Sequence, residues 1–298
     1  MLSILIPTYN YNAYPLAKEL EKQALALKIP FELICIDDGS FSPLNEENQK
    51  INSLTNCSFI ENRKNLGRSG IRNLLADKAR YQWLLFFDSD VFPKSKHLIK
   101  NYIEAKKTND SEVFYGGILY SEELPNEDNR LRWVYGKKRE ALTVEKRNKK
   151  KYLRFLTLCF LIKKDVFNHT RFNESIKNLR HEDTLFALDL KKHNVSMTHI
   201  DNPVYHLGLE NSEIFLRKSR DSIEGLLEII KSGLMPANHV LISKAHRFSK
   251  LTFTNEIFSY IYCNYKSFLE RNLLSKNPSL FLFDLYRLCY LCYIDKSK

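Results

Sequence analysis

The first 90 residues alternate between short apolar runs and segments with helical spacing, and this alternation constrains the fold more than any other feature of the chain. Between the apolar runs, residues 15–28 and 67–80 place apolar side chains three or four positions apart. Short buried strands that alternate with helices are typical of a parallel sheet covered on both faces. We therefore predict an α/β fold with a mostly parallel central sheet. Its first four strands are residues 2–6, 31–36, 57–60 and 83–87.

Distinctive polar residues follow three of these four predicted strands. They are Thr8 and Asn10, Asp37 and Asp38, and Asp88 and Asp90. Ligands of open α/β sheets bind in the crevice at the carboxyl ends of the strands. We therefore expect these side chains to converge on one crevice.

Asp88-Ser89-Asp90 follows the fourth apolar run directly. Two carboxylates one residue apart can turn towards one hard cation, such as Mn²⁺ or Mg²⁺. A divalent cation can in turn stabilise a diphosphate as a leaving group. Two solvated carboxylates in a surface turn would give the same pattern, but the position at the end of an apolar strand favours a metal site.

Asp37-Asp38-Gly39-Ser40 follows the second predicted strand. A carboxylate at this point can accept hydrogen bonds from a nucleotide base or from ribose hydroxyls, and Gly39 permits a turn with positive φ. The alternative is an ordinary turn at the end of a strand, for which Asp and Gly are common residues.

A polar helix is expected after Ser40, and Gly67 and Arg72 lie in the first turns of the next predicted helix, residues 67–80. The N-terminal amides of a helix and a guanidinium group can both face a diphosphate. The alternative is a glycine-rich helix start with a surface arginine. The pattern matches neither a P-loop nor a dinucleotide-binding fingerprint, so it does not favour either of those classes.

The pattern is less regular after residue 110. We predict strands at 113–120, 155–162, 196–200 and 204–206, and a helix at 184–193. Residues 121–154 are polar, with nine basic and two acidic residues between Lys137 and Arg154, and are interpreted as a mobile loop or a pair of short helices. Helical spacing dominates from residue 211 onward. The expected organisation is one domain of residues 1–210 and a helical C-terminal extension of residues 211–298.

Taken together, these motifs resemble the inverting family 2 glycosyltransferases of the GT-A fold in their residues, order and spacing. An ordered series of this kind is far more specific than any single motif. The likeness covers about the first 210 residues and leaves the extension unexplained. The matching stretches are 3–10, 36–40, 65–67 with 72–73, 87–90, 160–167, 171–174 and 182–183.

The resemblance implies a role for each site residue. Pro7, Thr8 and Asn10 would line the nucleotide pocket, and Asp38, with Asp37, would contact the base or ribose. Gly67 and Arg72 would lie near the diphosphate or sugar. Asp88, with Ser89 beside it, would face the ribose and sugar, and Asp90 would hold Mn²⁺ or Mg²⁺. His206 would complete the metal or diphosphate site, the alternative being a histidine with a purely structural role.

The resemblance also makes Asp183 the general base, with Glu182 beside it. An acceptor hydroxyl must lose its proton as it attacks the anomeric carbon, and a carboxylate opposite the diphosphate can take that proton. An unperturbed aspartate has a pKa of about 3.9 and is a weak base, but burial or the neighbouring Glu182 can raise that pKa. The alternative is an acidic helix start, which the helix dipole stabilises.

One departure from the family pattern concerns processivity. Processive members carry a Q-x-x-R-W signature after the general base, and this sequence has none; Arg132-Trp133 lies before the base and lacks the glutamine. We therefore expect a non-processive transferase that moves one sugar from a nucleotide-diphosphate sugar. A UDP-sugar is the expected donor, and a GDP-sugar is the second choice. The expected acceptor is a hydroxyl of a saccharide or lipid-linked glycan, in polysaccharide biosynthesis.

The net charge of +11 favours anionic partners. No nucleic-acid-binding signature accompanies it, so we expect no nucleic-acid partner. No secretory signal or membrane span is evident, and the six cysteines lie mostly in apolar runs, which predicts a cytoplasmic protein. The basic segment and the aromatic C-terminus also admit peripheral contact with the inner face of an anionic membrane.

Two other functions are compatible with part of the pattern. A non-catalytic sugar-nucleotide-binding protein could be built on a transferase domain that has lost its activity, but Asp90 and Asp183 are intact. A sugar-1-phosphate nucleotidyltransferase would need a glycine-rich basic loop after the first strand. Pro7-Thr8-Tyr9-Asn10 is not such a loop.

Overall fold

The structure is a computed structural model that describes residues 1–176 and 180–297. Its strands are β1 (Leu2–Thr8), β2 (Phe31–Asp37), β3 (Cys57–Glu61), β4 (Trp83–Phe87), β5 (Val91–Pro93), β6 (Val113–Tyr115), β7 (Ile118–Leu119), β8 (Cys159–Lys163), β9 (Met197–His199) and β10 (Val204–His206). Its α-helices are α1 (Tyr14–Ala26), α2 (Asn45–Asn48), α3 (Gly67–Lys78), α4 (Leu98–Thr108), α5 (Arg130–Tyr135), α6 (Val144–Asn148), α7 (Lys164–His169), α8 (Glu182–Lys192), α9 (Ser212–Lys231), α10 (Leu241–Leu251), α11 (Asn255–Leu273) and α12 (Leu280–Ser297).

A seven-stranded sheet organises the first 200 residues, in the order β3-β2-β1-β4-β8-β6-β9. The first four strands of the sequence pair in parallel, with β1 between β2 and β4. β8 runs antiparallel to both β4 and β6. The prediction of an α/β fold with a mostly parallel sheet is therefore confirmed, and the four predicted strands are all present.

Both faces of this sheet are covered by helices, as the near-continuous apolar strands require. Ile4 and Ile6 of β1 face a core that also contains side chains of α1 and α4, while Leu5 faces a second core with side chains of α3, α7 and α8. Successive side chains of a strand point to opposite faces, so one apolar run supplies both cores.

A small three-stranded sheet, in the order β5-β10-β7, connects distant parts of the sequence. β5 follows Asp90 directly, and β10 ends at His206. The two strands are antiparallel, with Val91 opposite His206. This pairing brings a histidine 116 positions away to the second carboxylate of the Asp88-Ser89-Asp90 motif.

The predicted strand at 113–120 is two short strands, β6 and β7, separated by Gly116 and Gly117. A Cβ atom on Gly116 would lie 2.1 Å from the carbonyl oxygen of Asn202, so the two backbones approach too closely for any side chain. The chain leaves the large sheet at this point and joins the small one. Hydropathy alone cannot mark such a break, because both halves are apolar.

The basic segment at 142–154 is attached to the sheet through short helices. Arg147 of α6 is buried, and its guanidinium donates hydrogen bonds to the carbonyl oxygens of Leu142, Tyr115, Gly116 and Ile200. For the whole stretch 121–154 the sequence predicts a mobile loop or a pair of short helices, and the structure has short helices there, among them α5 and α6. The exposed side chains of Lys146 on α6 and of Lys149 and Lys150 just after it therefore project from an anchored element.

The described residues group into two compact units. The first comprises the described residues of 1–119, 141–177 and 182–208, and the second those of 120–140, 178–181 and 209–298. The second unit is helical, and residues 120–140 group with it. The expected division at residue 210 into two domains stays a prediction.

In the second unit, helix α12 packs against α9, α10 and α11. Glu270 of α11 accepts hydrogen bonds from Arg220 of α9 and from the Tyr286 hydroxyl of α12. Cys289 and Cys292 are both buried free thiols on α12. Within residues 1–176 and 180–297, every helix is too short or too polar to cross a membrane.

Candidate active site

The carboxyl ends of β1 and β2 are joined by backbone hydrogen bonds. The amide of Asp38 donates to the carbonyl oxygen of Thr8 at 2.9 Å. Pro7 and Thr8 end β1, and Thr8 is buried with its hydroxyl donating to the carbonyl oxygen of Tyr11 at 3.1 Å. The first two polar strand ends therefore lie side by side, as the sequence predicts.

Asp37 and Asn10 hold the turn that follows β2. The carboxylate of Asp37 accepts hydrogen bonds from the amide and the hydroxyl of Ser40, at 2.9 and 2.6 Å. Asn10 has a positive φ of 50°, and its side-chain oxygen accepts a hydrogen bond from the Ser42 hydroxyl at 2.7 Å. Both residues therefore shape the edge of the crevice, whatever contact they make with a nucleotide.

Asp38 fixes the start of helix α3. Its two carboxylate oxygens accept hydrogen bonds from the backbone amides of Leu66 and Gly67, at 2.7 and 2.9 Å. Burial raises the pKa of Asp38, and these two amides oppose that shift. Each oxygen keeps a second lone pair for a ligand. A contact of Asp38 with the base or ribose stays a prediction. Its hydrogen bonds to the start of α3 are a structural role in addition to that predicted contact.

Gly39 is placed where only glycine fits. Its φ is +68°, and a Cβ atom would lie 2.8 Å from the carbonyl carbon of Lys64 and 2.9 Å from the amide nitrogen of Asn65. Gly67 also has a positive φ, +76°, but a Cβ atom there would meet nothing within 4 Å. A substitution at Gly67 therefore costs only the energy of the left-handed backbone conformation, whereas one at Gly39 adds a steric clash to that cost.

We expect Gly39→Ala to lower the free energy of unfolding by about 3 kcal/mol, because the left-handed conformation and the clash with residues 64–65 add together. Gly67→Ala is the matched control and should cost only about 1 kcal/mol. Chemical denaturation followed by circular dichroism measures both. Equal losses in the two variants would contradict the close approach of the turn to residues 64–65.

Arg72 is buried and holds Asp88. Its Nη2 atom lies 2.5 Å from Oδ1 of Asp88, its Nη1 donates to the carbonyl oxygen of Arg68, and the guanidinium lies 5.4 Å from the centre of the Phe172 ring. Burial raises the pKa of Asp88, and the Arg72 guanidinium opposes that shift. The buried Arg72 guanidinium therefore orients the carboxylate of Asp88, which is itself partly exposed. Ser89, the next residue, is also partly exposed.

Asp90 and His206 form a second pair in the crevice. Nε2 of His206 lies 3.2 Å from Oδ2 of Asp90, and the amide of Leu207 donates to the carbonyl oxygen of Asp90 at 2.8 Å. A Cβ atom on Gly208 would lie 2.5 Å from the same Oδ2 atom. The Asp90 carboxylate therefore packs against the backbone of Gly208, where any side chain would clash with it.

The Asp90–His206 pair suits a divalent cation. Burial raises the pKa of Asp90, but the hydrogen bond and charge of His206 outweigh it, so the pKa lies below the ordinary value and the carboxylate is ionised. Ligand atoms bonded to one Mg²⁺ at right angles lie roughly 3 Å apart, which is close to the distance between this oxygen and nitrogen. Mg²⁺ commonly takes one or two protein ligands and completes its shell with phosphates and water. Over residues 1–176 and 180–297, no three or more His, Cys, Asp or Glu residues group as a metal site.

Asp183 and Glu182 begin helix α8. Burial, and then the charge of Glu182, raise the pKa of Asp183 to about 6. The Oδ1 atom of Asp183 accepts a hydrogen bond from the amide of Thr184 at 2.7 Å. Burial also raises the pKa of Glu182, but the positive charges of Arg68 and Arg72 oppose this effect, and the pKa of Glu182 lies below its ordinary value. Two adjacent carboxylates therefore differ in basicity, and Asp183 is the more basic one.

Arg68 connects the two halves of the site, and the sequence analysis missed it. Its Nη1 atom lies 3.0 Å from Oε1 of Glu182, while its side chain is 61% exposed. Its pKa is raised, first by the charge of Glu182 and then by those of Asp88 and Asp183, against its desolvation. The signal was available, because Arg68 lies four residues before Arg72 and therefore on the same face of helix α3. Tyr11 was missed as well: burial and then the charge of Asp90 raise its pKa.

Comparison with known proteins identifies the family of this chain. The family model for glycosyl transferase family 2 matches residues 3–171. An uncharacterized glycosyltransferase of Haemophilus influenzae is 27% identical over 194 residues, which are 64% of this chain and 72% of the relative.

Solved structures of S. aureus TarS have a similar fold. A structure of TarS 1-349 in complex with UDP-GlcNAc is 16% identical, with a TM-score of 0.52 over 99% of this chain and 91% of that one. A longer TarS chain is 22% identical, with a TM-score of 0.51 over 77% of this chain, but the match spans only 39% of TarS. At these identities the likeness concerns the fold. Because the family model covers more than half of its residues, the chain belongs to glycosyl transferase family 2 and has the GT-A type of α/β fold.

Proposed function

We propose that this protein is a metal-dependent, inverting, non-processive glycosyltransferase that moves one sugar from a UDP-sugar to a hydroxyl group. The observation that carries the proposal is the position of Arg68. Its guanidinium lies 3.0 Å from Glu182, next to Asp183, and its carbonyl oxygen accepts a hydrogen bond from Arg72, which holds Asp88. A residue from the Asp88-Ser89-Asp90 motif and the candidate base therefore border the same crevice. Their separation in the sequence, 95 positions between Asp88 and Asp183, argues against a coincidental surface cluster.

Each group has a task in a single displacement. Asp183 accepts the proton of the acceptor hydroxyl as its oxygen attacks the anomeric carbon. Attack from the side opposite the diphosphate inverts that carbon. Asp88, oriented by Arg72, faces the ribose and sugar. Asp90 and His206 would hold Mn²⁺ or Mg²⁺, which supplies charge stabilisation for the departing diphosphate.

Electrostatics supports this division of work. A general base works best when its pKa is near the working pH, and Asp183, with a pKa of about 6, is ionised at neutral pH and still basic. Arg68 is exposed in the crevice and can pair with an anionic donor. Both features serve transfer from a nucleotide-diphosphate sugar.

The donor and acceptor classes are part of the proposal. UDP-GlcNAc is the first donor to test, since TarS, which has a similar fold, was crystallised with it. A hexosyl or N-acetylhexosaminyl group would pass to a saccharide or lipid-linked glycan in polysaccharide biosynthesis. The six free cysteines fit a reducing compartment such as the cytoplasm.

A donor panel tests the proposal. We expect release of UDP from a UDP-sugar in the presence of Mn²⁺ or Mg²⁺ and none with chelator, with GDP-sugars turned over more slowly. Calorimetry with UDP and Mn²⁺ runs alongside. Binding without any turnover would favour the non-catalytic alternative. Formation of UDP-sugar from UTP and a sugar-1-phosphate would identify a nucleotidyltransferase and overturn the proposal.

A further inference from the structure

Helix α10 in the second unit exposes large apolar side chains to solvent and buries polar ones. Leu241, Phe248 and Leu251 are 77%, 66% and 70% exposed, and with Lys244 and Arg247 they form one face of the helix. The spacing of 241, 244, 248 and 251 is that of a single helical stripe. Amphipathic helices of soluble proteins normally turn this stripe inward, whereas here it points to solvent.

The buried side of α10 is polar. It consists of Ser243, His246 and Ser249, which are 2%, 8% and 1% exposed. Nε2 of His246 lies 3.3 Å from Oδ2 of Asp295 on α12, and Lys250 pairs with the same carboxylate. Polar contacts therefore fix the orientation of α10, and its apolar side chains cannot turn inward without breaking them.

Phe253 extends the exposed face just beyond the end of α10. It is 87% exposed and has a positive φ of 59°. Glycine is the usual residue at this point of a helix end, because a side chain is disfavoured in the left-handed conformation. A large aromatic ring is therefore held in water at a position where it also costs backbone energy.

The segment that carries this face contains basic residues and no acidic ones. From Ile229 to Asn255 the sequence contains no Asp or Glu, while Lys231, Lys244, Arg247 and Lys250 are all basic. Lys244 and Arg247 are exposed among the apolar side chains. A helix that combines exposed apolar residues with basic ones and lacks acidic ones has the composition of helices that lie in a membrane interface.

We propose that the α10 face, defined as Leu241, Lys244, Arg247, Phe248, Leu251 and Phe253, binds an anionic lipid surface. The apolar side chains would enter the boundary between headgroups and acyl chains, and the two cations would meet lipid phosphates. A second copy of the chain fits less well. A two-fold contact through this face would bring the Lys244 and Arg247 side chains of both copies together without an acidic partner.

Vesicle co-sedimentation tests the proposal. The whole protein should bind vesicles of phosphatidylcholine with phosphatidylglycerol, bind phosphatidylcholine alone far more weakly, and lose affinity as salt rises. The variant Phe248→Ser, Leu251→Ser, Phe253→Ser should bind at least about tenfold more weakly. Removing Lys244 and Arg247 with alanine should cost about fivefold for each charge.

Matched controls use exposed residues elsewhere. Leu25→Ser with Leu124→Ser removes exposed apolar side chains, and Lys146→Ala with Lys150→Ala removes two exposed charges from the basic segment. Both controls should bind as the unaltered protein does. If the loss of Lys146 and Lys150 weakened binding as much as the loss of Lys244 and Arg247, net charge alone would drive binding. That result would overturn the proposal, as would an equal loss in the Leu25→Ser, Leu124→Ser control or the absence of binding to anionic vesicles.

Fluorescence and oligomeric state complete the test. Phe253→Trp should give a blue-shifted emission when anionic vesicles are added, and this substitution keeps an aromatic side chain at an exposed position. A dimer in light scattering that the Phe248→Ser, Leu251→Ser, Phe253→Ser variant loses, with no vesicle binding, would assign the face to a second copy instead. Vesicle binding requires neither donor nor metal, so its failure leaves the proposed glycosyl transfer untouched.

Discussion

Replacing Asp183 with asparagine is expected to lower turnover by about 10²- to 10⁴-fold, the usual contribution of a positioned general base. Asparagine keeps the size and the hydrogen-bonding oxygen of the side chain, so the bond from the Thr184 amide at 2.7 Å can persist. The loss should appear in kcat, whereas the affinity for UDP measured by calorimetry should change little. Asp189→Asn, on the same helix α8, is the matched control and should leave both quantities unchanged.

The pH profile separates this role from a structural one. Burial and the charge of Glu182 raise the pKa of Asp183 to about 6, and a base must be deprotonated to act. The transfer rate should therefore fall as the pH drops through about 6 and level off above it. The residual activity of Asp183→Asn should lack this acidic limb. An unchanged limb in that variant, or turnover near that of the unaltered protein, would assign the proton transfer to another group.

The sheet and its polar strand ends were predictable because local chemistry determines them. Buried parallel strands are continuous apolar runs, and the polar residues at their ends mark where the sheet meets solvent. The close positions of Thr8 and Asp38 follow from the parallel pairing of β1 with β2. Both inferences use only the general rule that the strands of a parallel sheet end at one edge, and neither needs a specific side-chain contact.

Other parts of the site depend on such contacts and were not predictable in detail. The hydrogen bonds from the amides of Leu66 and Gly67 to Asp38 span 28 and 29 positions. The residues around Asp38 in the sequence do not indicate that its carboxylate binds the first amides of helix α3. The sequence places Arg68 on the same helix face as Arg72, but it does not predict that α8 brings Glu182 to 3.0 Å from the Arg68 guanidinium. Likewise, residues 120–140 look like a polar loop in isolation, although they group with the helices after residue 208.

Replacing Asp90 with alanine is the second change with a large expected effect. Removal of the ionised carboxylate should lower metal-stimulated turnover by about 10²- to 10³-fold, since charge stabilisation by a divalent cation contributes several kcal/mol and each 1.36 kcal/mol is tenfold. Mn²⁺ binding measured by electron paramagnetic resonance in the presence of UDP should weaken in parallel. Asp110→Ala is the matched control, because that exposed aspartate belongs to the same unit and lies outside the site.

His206→Ala distinguishes a shared metal site from a carboxylate acting alone. If both side chains hold the cation, this variant should also weaken Mn²⁺ binding, though less than Asp90→Ala, because a neutral imidazole contributes less to a hard cation than a charged carboxylate does. His193→Ala, at an exposed position, should leave Mn²⁺ binding unchanged. If His206→Ala binds Mn²⁺ normally, the histidine serves only to orient Asp90 across the 3.2 Å contact. Full turnover by Asp90→Ala in the presence of a chelator would exclude a metal-dependent transfer at this site.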